Sequence, residues 1–420
     1  EYDFLPWSIR ERCRLLGLTE ALKQAHFPDS QELKDRARER LAFDELFVLQ
    51  LGVLAKRKDW QEGGQGHTLN VASGAVSRFV NSLPFALTQA QRQALDEILG
   101  DVSTPRPMSR LLQGDVGSGK TVVATAALIA AVESGFQGAL MAPTQILAEQ
   151  HFKTISRLLP SAPIISGEGN GVHQHVGLLP RPIRVALLTG STTEKRKGEL
   201  YRRIKDGEVD IVVGTHALIQ KEVGFERLAL VVVDEQHRFG VMQRAALRQK
   251  GFNPHVLVMT ATPIPRTLAL TLYGDLDIST IGEMPPGRQR VKTRWLWPEQ
   301  RGKAYDFVRR QVSEGRQAFV ICPLVEESEA IEAKAAVSEY ERLSHEVFTD
   351  LRLGLLHGRM AGADKEDVMR RFHAREFDIL VSTAVVEVGI DGPNATGMMV
   401  EGADRFGLSQ LHQFRGRVGR

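Results

Sequence analysis

The stretch Gly114-Asp-Val-Gly-Ser-Gly-Lys120-Thr121 decides the fold, with Arg110-Leu-Leu-Gln113 leading in and the alanine-rich run Val122–Ala131 leading out. It fits the phosphate-loop pattern G-x-x-x-x-G-K-[ST]. Gly114, Gly117 and Gly119 let backbone N–H groups, with that of Ser118 among them, turn inward where a side chain would block a phosphate. Lys120 supplies a mobile positive charge to the β/γ-phosphates, and the Thr121 hydroxyl is a ligand for Mg²⁺. A helix starting near Lys120 points its positive dipole end at the same anion. The competing reading is a glycine turn with an incidental lysine, which the strand-like lead-in and helical lead-out disfavour.

A nucleotide site of this kind needs a second carboxylate for the metal. Leu228-Ala-Leu-Val-Val-Val233-Asp234-Glu235 offers it at the end of an apolar run. Asp234 is expected to hold Mg²⁺ through water and Glu235 to polarise the attacking water. ATP and Mg²⁺ are therefore the expected cofactors.

Further outward, apolar β-branched runs alternate with helical stretches: Ala139–Ala142, Val185–Leu188, Asp210–Val213, Leu228–Val233 and Val256–Met259. Such continuously apolar strands predict a parallel sheet covered on both faces. After Pro285-Pro286-Gly287 the alternation restarts with Ala318–Cys322, Leu353–Leu356, Asp378–Val381 and Gly397–Val400, so two successive α/β units are expected. Residues 160–182, rich in Gly, Pro and Ser, read as a surface insertion. Before residue 81 the pattern is helical. Asp29-Ser30 is placed to cap a helix from Gln31, along which Leu33, Ala37, Leu41, Leu46 and Leu49 keep helical spacing. Arg36, Arg38 and Arg40 nearly cancel Asp35, Glu39, Asp44 and Glu45, which predicts a solvated face rather than a DNA-binding stripe. Residues 60–74 read as a linker. The expected domains are 1–80, helical segment and linker; 81–285, the nucleotide-binding unit; and 286–420, the second unit, truncated at its C-terminus.

Composition constrains partners weakly. The 420 residues carry 54 basic and 51 acidic side chains, a net charge of +3, so bulk charge neither demands nor excludes nucleic acid. Cys13 and Cys322 are too few for a disulfide framework or a four-ligand zinc site, and Cys322 reads as a core cysteine. No apolar run approaches the ~20 residues of a membrane span, and the N-terminus lacks a signal peptide's pattern. A cytosolic protein without a membrane partner is expected.

Asp234-Glu-Gln-His-Arg-Phe-Gly240 with Met259-Thr-Ala-Thr-Pro-Ile-Pro-Arg-Thr267 resembles superfamily-2 helicases, and within them the bacterial RecG family of branched-DNA translocases. Leu87-Thr-Gln-Ala-Gln91, Ala142-Pro-Thr-Gln-Ile-Leu-Ala-Glu-Gln150, Leu188-Thr-Gly-Ser191 and Gly214-Thr-His-Ala-Leu-Ile219 resemble the family's other first-lobe motifs, in its order. Ser382-Thr-Ala-Val-Val-Glu-Val-Gly-Ile-Asp391 and Gln413-Phe-Arg-Gly-Arg-Val-Gly-Arg420 resemble its last two. Phe27-Pro-Asp-Ser30 and Ala42-Phe-Asp-Glu-Leu-Phe47 resemble the segment preceding the motor, so the likeness spans nearly the whole chain. It implies two tandem RecA-like (P-loop NTPase) lobes after a helical segment, an ATP hydrolase coupled to DNA translocation, and a role at forks and Holliday junctions in DNA repair and recombination. It implies branched DNA as partner, a single-stranded-DNA-binding protein as a candidate further partner, and a bacterial cytoplasmic, nucleoid-associated location.

By the same resemblance, Gln91 would contact adenine's edge, and Arg417 and Arg420 would reach the phosphates from the second lobe, with Asp391 and Gln413 completing the interlobe contacts. Gln236, His237, Thr260 and Thr262 would couple hydrolysis to movement. His216 and His237 read as hydrogen-bonding couplers rather than metal ligands, since no paired ligand spacing accompanies them. Pro143, Thr144, Thr189, Gly190, Thr215 and Thr383 would touch the DNA backbone without reading bases. The chain departs from the family at Gly389-Ile-Asp391-Gly392-Pro393-Asn394, with glycine where a larger apolar residue is usual. It also begins without the family's wedge domain and stops before its helical hairpin, as a fragment would. Two alternatives stand beside this reading: an Mfd-type translocase that links transcription to repair, and a non-motor ATP-gated switch or small-molecule phosphotransferase.

Overall fold

The computed structural model describes residues 3–62, 66–72, 74–160, 172–190, 192–220, 222–234, 253–261, 276–283, 291–323, 329–383, 392 and 394–419. The chain divides into two compact units: Glu1–Gln65 with Ile264–Asp277, which carries the N-terminal helices, and Gly66–Pro263 with Ile278–Arg420, which carries the sheets.

The first unit contains α1 (Trp7–Arg12), α2 (Leu18–His26) and α3 (Gln31–Glu62). The Leu33 N–H donates to Ser30 Oγ at 3.2 Å, the cap expected for α3. α3 continues to Glu62, so the expected linker over 60–74 starts inside a helix: Trp60-Gln-Glu62 contains no breaker, and glycines come only afterwards. Arg40 also departs from expectation. Its guanidinium is fully buried, donating from Nε to Asp44 Oδ1 (2.9 Å), from Nη2 to Asp3 Oδ1 (2.7 Å) and from Nη1 to the Leu16 carbonyl (2.6 Å). A helix-periodic charge pattern conceals this, because the partner Asp3 is distant in sequence. The Arg40 hydrogen bond holds the Asp3 carboxyl well below the usual range.

In the second unit come α4 (Ala75–Ser82), α5 (Gln89–Val102), β1 (Ser109–Gly114), α6 (Lys120–Glu133), β2 (Gln137–Met141), α7 (Gln145–Leu158), β3 (Val172–His175), β4 (Ile183–Leu188), α8 (Glu194–Lys205), β5 (Ile211–Gly214), β6 (Leu228–Asp234), β7 (His255–Thr260) and β8 (Asp277–Ile281). Their strands form one sheet in the order β3-β4-β5-β2-β6-β7-β1-β8. β6 is buried along its whole length, as its unbroken apolar run requires. α6 is buried from Val122 to Val132, and its alanines let it lie close to the sheet. Gly138 on β2 makes room for it, since a Cβ there would stand 2.4 Å from Leu128 Cδ2.

A second, four-stranded sheet follows: α9 (Arg301–Ser313), β9 (Gln317–Ile321), α10 (Glu329–Arg342), β10 (Leu353–Leu356), α11 (Gly362–His373), β11 (Ile379–Ser382), β12 (Ala395–Val400) and α12 (Leu408–Arg415), in the strand order β10-β11-β9-β12 with parallel pairing. Cys322 follows β9 in this core, where burial pushes its thiol up to about 12, an inert core cysteine. Two tandem parallel α/β sheets behind a helical segment match the expected architecture. Within the expected insertion 160–182, Val172–His175 form β3, which pairs antiparallel with β4 at the sheet edge, while 161–171 lie outside the described residues. Because the strands from β1 to β2 and β4 to β7 run parallel, their carboxyl ends line one rim, the place where open α/β sheets bind ligands.

Candidate active site

That rim gathers residues that are distant in sequence. β1 ends at Gly114, β6 at Asp234 and β7 at Thr260, while Thr189 and Thr215 directly follow β4 and β5 and Thr144 comes three residues after the end of β2. Thr383 occupies the equivalent place after β11 in the second sheet.

The phosphate loop turns through left-handed Gly117 (φ 79°) and Gly119 (φ 88°), conformations that favour glycine. A Cβ on Gly114 would stand 2.5 Å from Ser118 Oγ. The loop is therefore a cradle that a side chain would fill. Ser118 is fully buried, and its Oγ has no hydrogen-bond partner among the described residues. Lys120, the first residue of α6, donates from Nζ to the carbonyls of Gly114 (2.6 Å) and Asp115 (3.0 Å), so its charge lies over the loop. Thr121 follows it in the first turn, next to the amides that a phosphate would bridge. An open cradle of N–H groups, a buried hydroxyl and a lysine fit a nucleotide's phosphates. The Thr121 hydroxyl and the Asp234 carboxylate are oxygen donors suited to Mg²⁺. Among the described residues no cluster of three or more His, Cys, Asp or Glu side chains could hold a metal.

Asp234 is buried at the end of β6, and its Oδ2 lies 2.6 Å from His151 Nε2 on α7. Burial alone would raise its pKa. The charge and hydrogen bond of His151, with Lys120 and Arg417 further off, more than offset that and hold it below the ordinary carboxylate value. An ionised carboxylate only accepts, so His151 Nε2 carries the proton. His151 had no part in the sequence reading, since one histidine on an apolar helix face looks like core.

The side chain of Gln91, expected at adenine's edge, reaches the phosphate loop. It is buried, its Oε1 accepts from the Thr88 N–H at 2.9 Å, and its Nε2 donates to the Ser118 carbonyl at 2.8 Å. With Thr88 it forms the capping box of α5. The amide thus ties a helix start to the phosphate loop, a role that a Thr-x-x-Gln spacing ahead of a helix does signal.

The second sheet's unit meets this loop. Arg417 and Gln413 are buried. Asp115 Oδ1, in the loop, lies 2.9 Å from His412 Nε2, and Asp115 Oδ2 lies 3.8 Å from Arg415 Nη2. Gly416 sits so close that a Cβ there would stand 2.5 Å from Val116 Cβ. Neither Asp115 nor His412 was singled out from sequence.

The residues expected to touch the strand differ in exposure. The Thr144 hydroxyl caps α7 by accepting from the Leu147 N–H at 3.4 Å, and its own proton remains available to donate. Pro143 and Thr215 are half-buried and Gly190 is exposed, with open space where a side chain would be. Thr189, Thr260 and Thr383 are buried. Glu235, Gln236, His237, Thr262, Asp391 and Arg420 lie outside the described residues.

Comparison with known proteins places this geometry. Residues 88–271 match the DEAD/DEAH box helicase family, and residues 302–420 the helicase conserved C-terminal domain. The ATP-dependent DNA helicase RecG of Synechocystis sp. is 49% identical over 418 residues, covering 100% of this chain and 48% of that protein. RecG of Bacillus subtilis is also 49% identical, with 100% and 58% covered. A solved structure of RecG bound to a three-way DNA junction is 45% identical with a TM-score of 0.79, covering 100% of this chain and 53% of that one. The chain spans about half the length of these relatives. No helix among the described residues is long and apolar enough to cross a membrane.

Proposed function

The chain belongs to the RecG family of ATP-dependent DNA helicases, and from that membership we propose that it is the motor core of a translocase that regresses forks and migrates Holliday junctions during repair and recombination. One observation carries the motor reading beyond family likeness. Arg417, from the second sheet's unit, is buried within electrostatic reach of Asp234, while α12 of that unit touches the phosphate loop. Hydrolysis that depends on an arginine from another lobe depends on lobe closure, which is how a chemical step becomes motion. Likeness to RecG along the whole chain leaves the Mfd-type alternative without support.

In this mechanism the amides from Gly114 to Gly119 bind the phosphates, and Lys120 leaves its loop carbonyls for the β/γ-phosphate charge. Thr121 and Asp234 would hold Mg²⁺, which would supply positive charge against that developing on the phosphates. Glu235 orients and polarises water. Arg417 and Arg420 stabilise the transition state, a contribution typically worth about 10³–10⁵ in rate. Thr260 and Thr262, with Gln236 and His237, link this chemistry to the strand-contact loops. Pro143, Thr144, Thr215, Gly190 and the second-sheet loop at Thr383 face the DNA backbone. A bacterial cytoplasmic, nucleoid-associated location and contact with a single-stranded-DNA-binding protein belong to the same reading.

The test is ATP turnover at fixed salt with no DNA, single strands, blunt duplex and a three-way fork. Fork stimulation above the others supports the branched-DNA motor. Turnover unaffected by any DNA, in the whole protein as well, refutes it.

A further inference from the structure

His151 belongs to none of the motifs that carry the function, yet its Nε2 lies 2.6 Å from the carboxylate at the centre of the site. α7 turns Leu147, Ala148, His151, Phe152 and Ile155 inward, a helical spacing that would make His151 ordinary core. Its environment differs from that of its apolar neighbours. Nε2 meets Asp234 Oδ2 at 2.6 Å with both side chains buried, and the carboxylate is the one that faces the charges of Lys120 and Arg417. A hydrogen bond to one oxygen fixes the rotation of the whole carboxylate, and so the direction in which the other oxygen is offered.

We propose that His151 is the positioning residue for Asp234, holding Oδ2 so that the carboxylate meets the metal shell of the bound nucleotide in one orientation. The proposal rests on the nucleotide-site reading given above. It has a mechanical corollary. His151 lies seven residues after Thr144, about 10 Å along one helix at 1.5 Å per residue. The loop assigned to the DNA strand and the carboxylate assigned to the metal are therefore joined by a single rigid element and one hydrogen bond.

The experiment uses the whole protein and a readout other than turnover: the Mg²⁺ midpoint for binding N-methylanthraniloyl-ADP, followed by fluorescence. Three variants separate the roles. His151→Leu keeps bulk and loses the donor, His151→Gln keeps a donor near the Nε2 position, and His151→Asn keeps polarity but falls short. Loss of such a supporting partner typically weakens metal binding about 10–100-fold. The Leu and Asn variants should raise the midpoint by that factor, while Gln stays within about threefold of the parent on the same reasoning. Nucleotide-free affinity for fork DNA and the thermal midpoint of Gln and Asn should match the parent. A parental Mg²⁺ midpoint in the Leu variant, or a Gln variant as impaired as Leu, overturns the proposal. If the parent itself binds the analogue without Mg²⁺ dependence, the nucleotide-site reading falls and the proposal with it, a result visible before any variant is made.

Discussion

Gly416→Ala is the substitution that tests the docking of the second lobe most directly. Gly416 has φ −70° and ψ −9°, a conformation open to alanine, so backbone strain plays no part. The added Cβ would lie 2.5 Å from Val116 Cβ, 2.7 Å from its Cγ2 and 3.2 Å from its Cγ1. Carbon atoms rest at about 3.5–4.0 Å, so α12 and the phosphate loop must separate by about 1 Å. Overpacking of this kind costs about 1–3 kcal/mol. Neither sheet contains the clash, so the cost falls on docking rather than on folding. If turnover needs the docked state, it falls about 5–150-fold, the ratio that corresponds to this energy. The assay is steady-state ATP hydrolysis with fork DNA, accompanied by a thermal melt expected to be unchanged. Val116→Gly removes all the clashing atoms, so the double variant should lose less than the two single losses combined. Parental turnover in Gly416→Ala, or a double variant no better than additive, would refute the argument.

Three further outcomes are expected. Lys120→Ala should abolish turnover and weaken nucleotide binding, because it removes the loop's cation; parental hydrolysis would sink the phosphate-loop assignment. Arg40→Met should destabilise the helical unit by about 3–5 kcal/mol, less to the extent that water reaches Asp3, because it leaves Asp3 and Asp44 beside an uncompensated site; hydrogen exchange in α2 and α3 reads this, and unchanged protection would contradict it. Buried His255 accepts from the Met108 N–H at 2.9 Å and meets the His67 carbonyl at 2.6 Å, and burial lowers its pKa below 6.5. The unfolded chain then binds a proton that the folded one refuses, so stability falls as pH drops below about 6.5, by at most about 1.4 kcal/mol per unit; urea titrations at pH 7.5 and 5.5 should show a smaller difference in His255→Gln.

The legible parts of this protein were those whose physics is local. A phosphate loop needs its glycines in sequence, and a buried parallel strand announces itself as an unbroken apolar run, which is why β6 and the Lys120 and Asp234 positions could be read directly. The half-exposed edge strand β8 and the polar β3 carry no such run and escaped notice. Pairings across the fold were equally hidden. Arg40 reads as solvated because Asp3 lies 37 residues away, and nothing local marks His151 because Asp234 lies 83 residues on. Gln91 was read through its family role, whereas the local Thr88-x-x-Gln91 pattern carried its helix-capping role openly.

Asp115 and Val116 belong to the phosphate loop and are also the surface on which α12 rests. A loop with two clients cannot be tuned for one alone. On the proposed motor reading, a substitution that tightens the loop's hold on nucleotide also changes how readily α12 seats on it, so affinity and stepping rate are inherited as one trait. Variation in motor speed across the family should therefore arise away from these two positions, and attempts to engineer a tighter-binding loop should produce a slower or idling motor before they produce a better one.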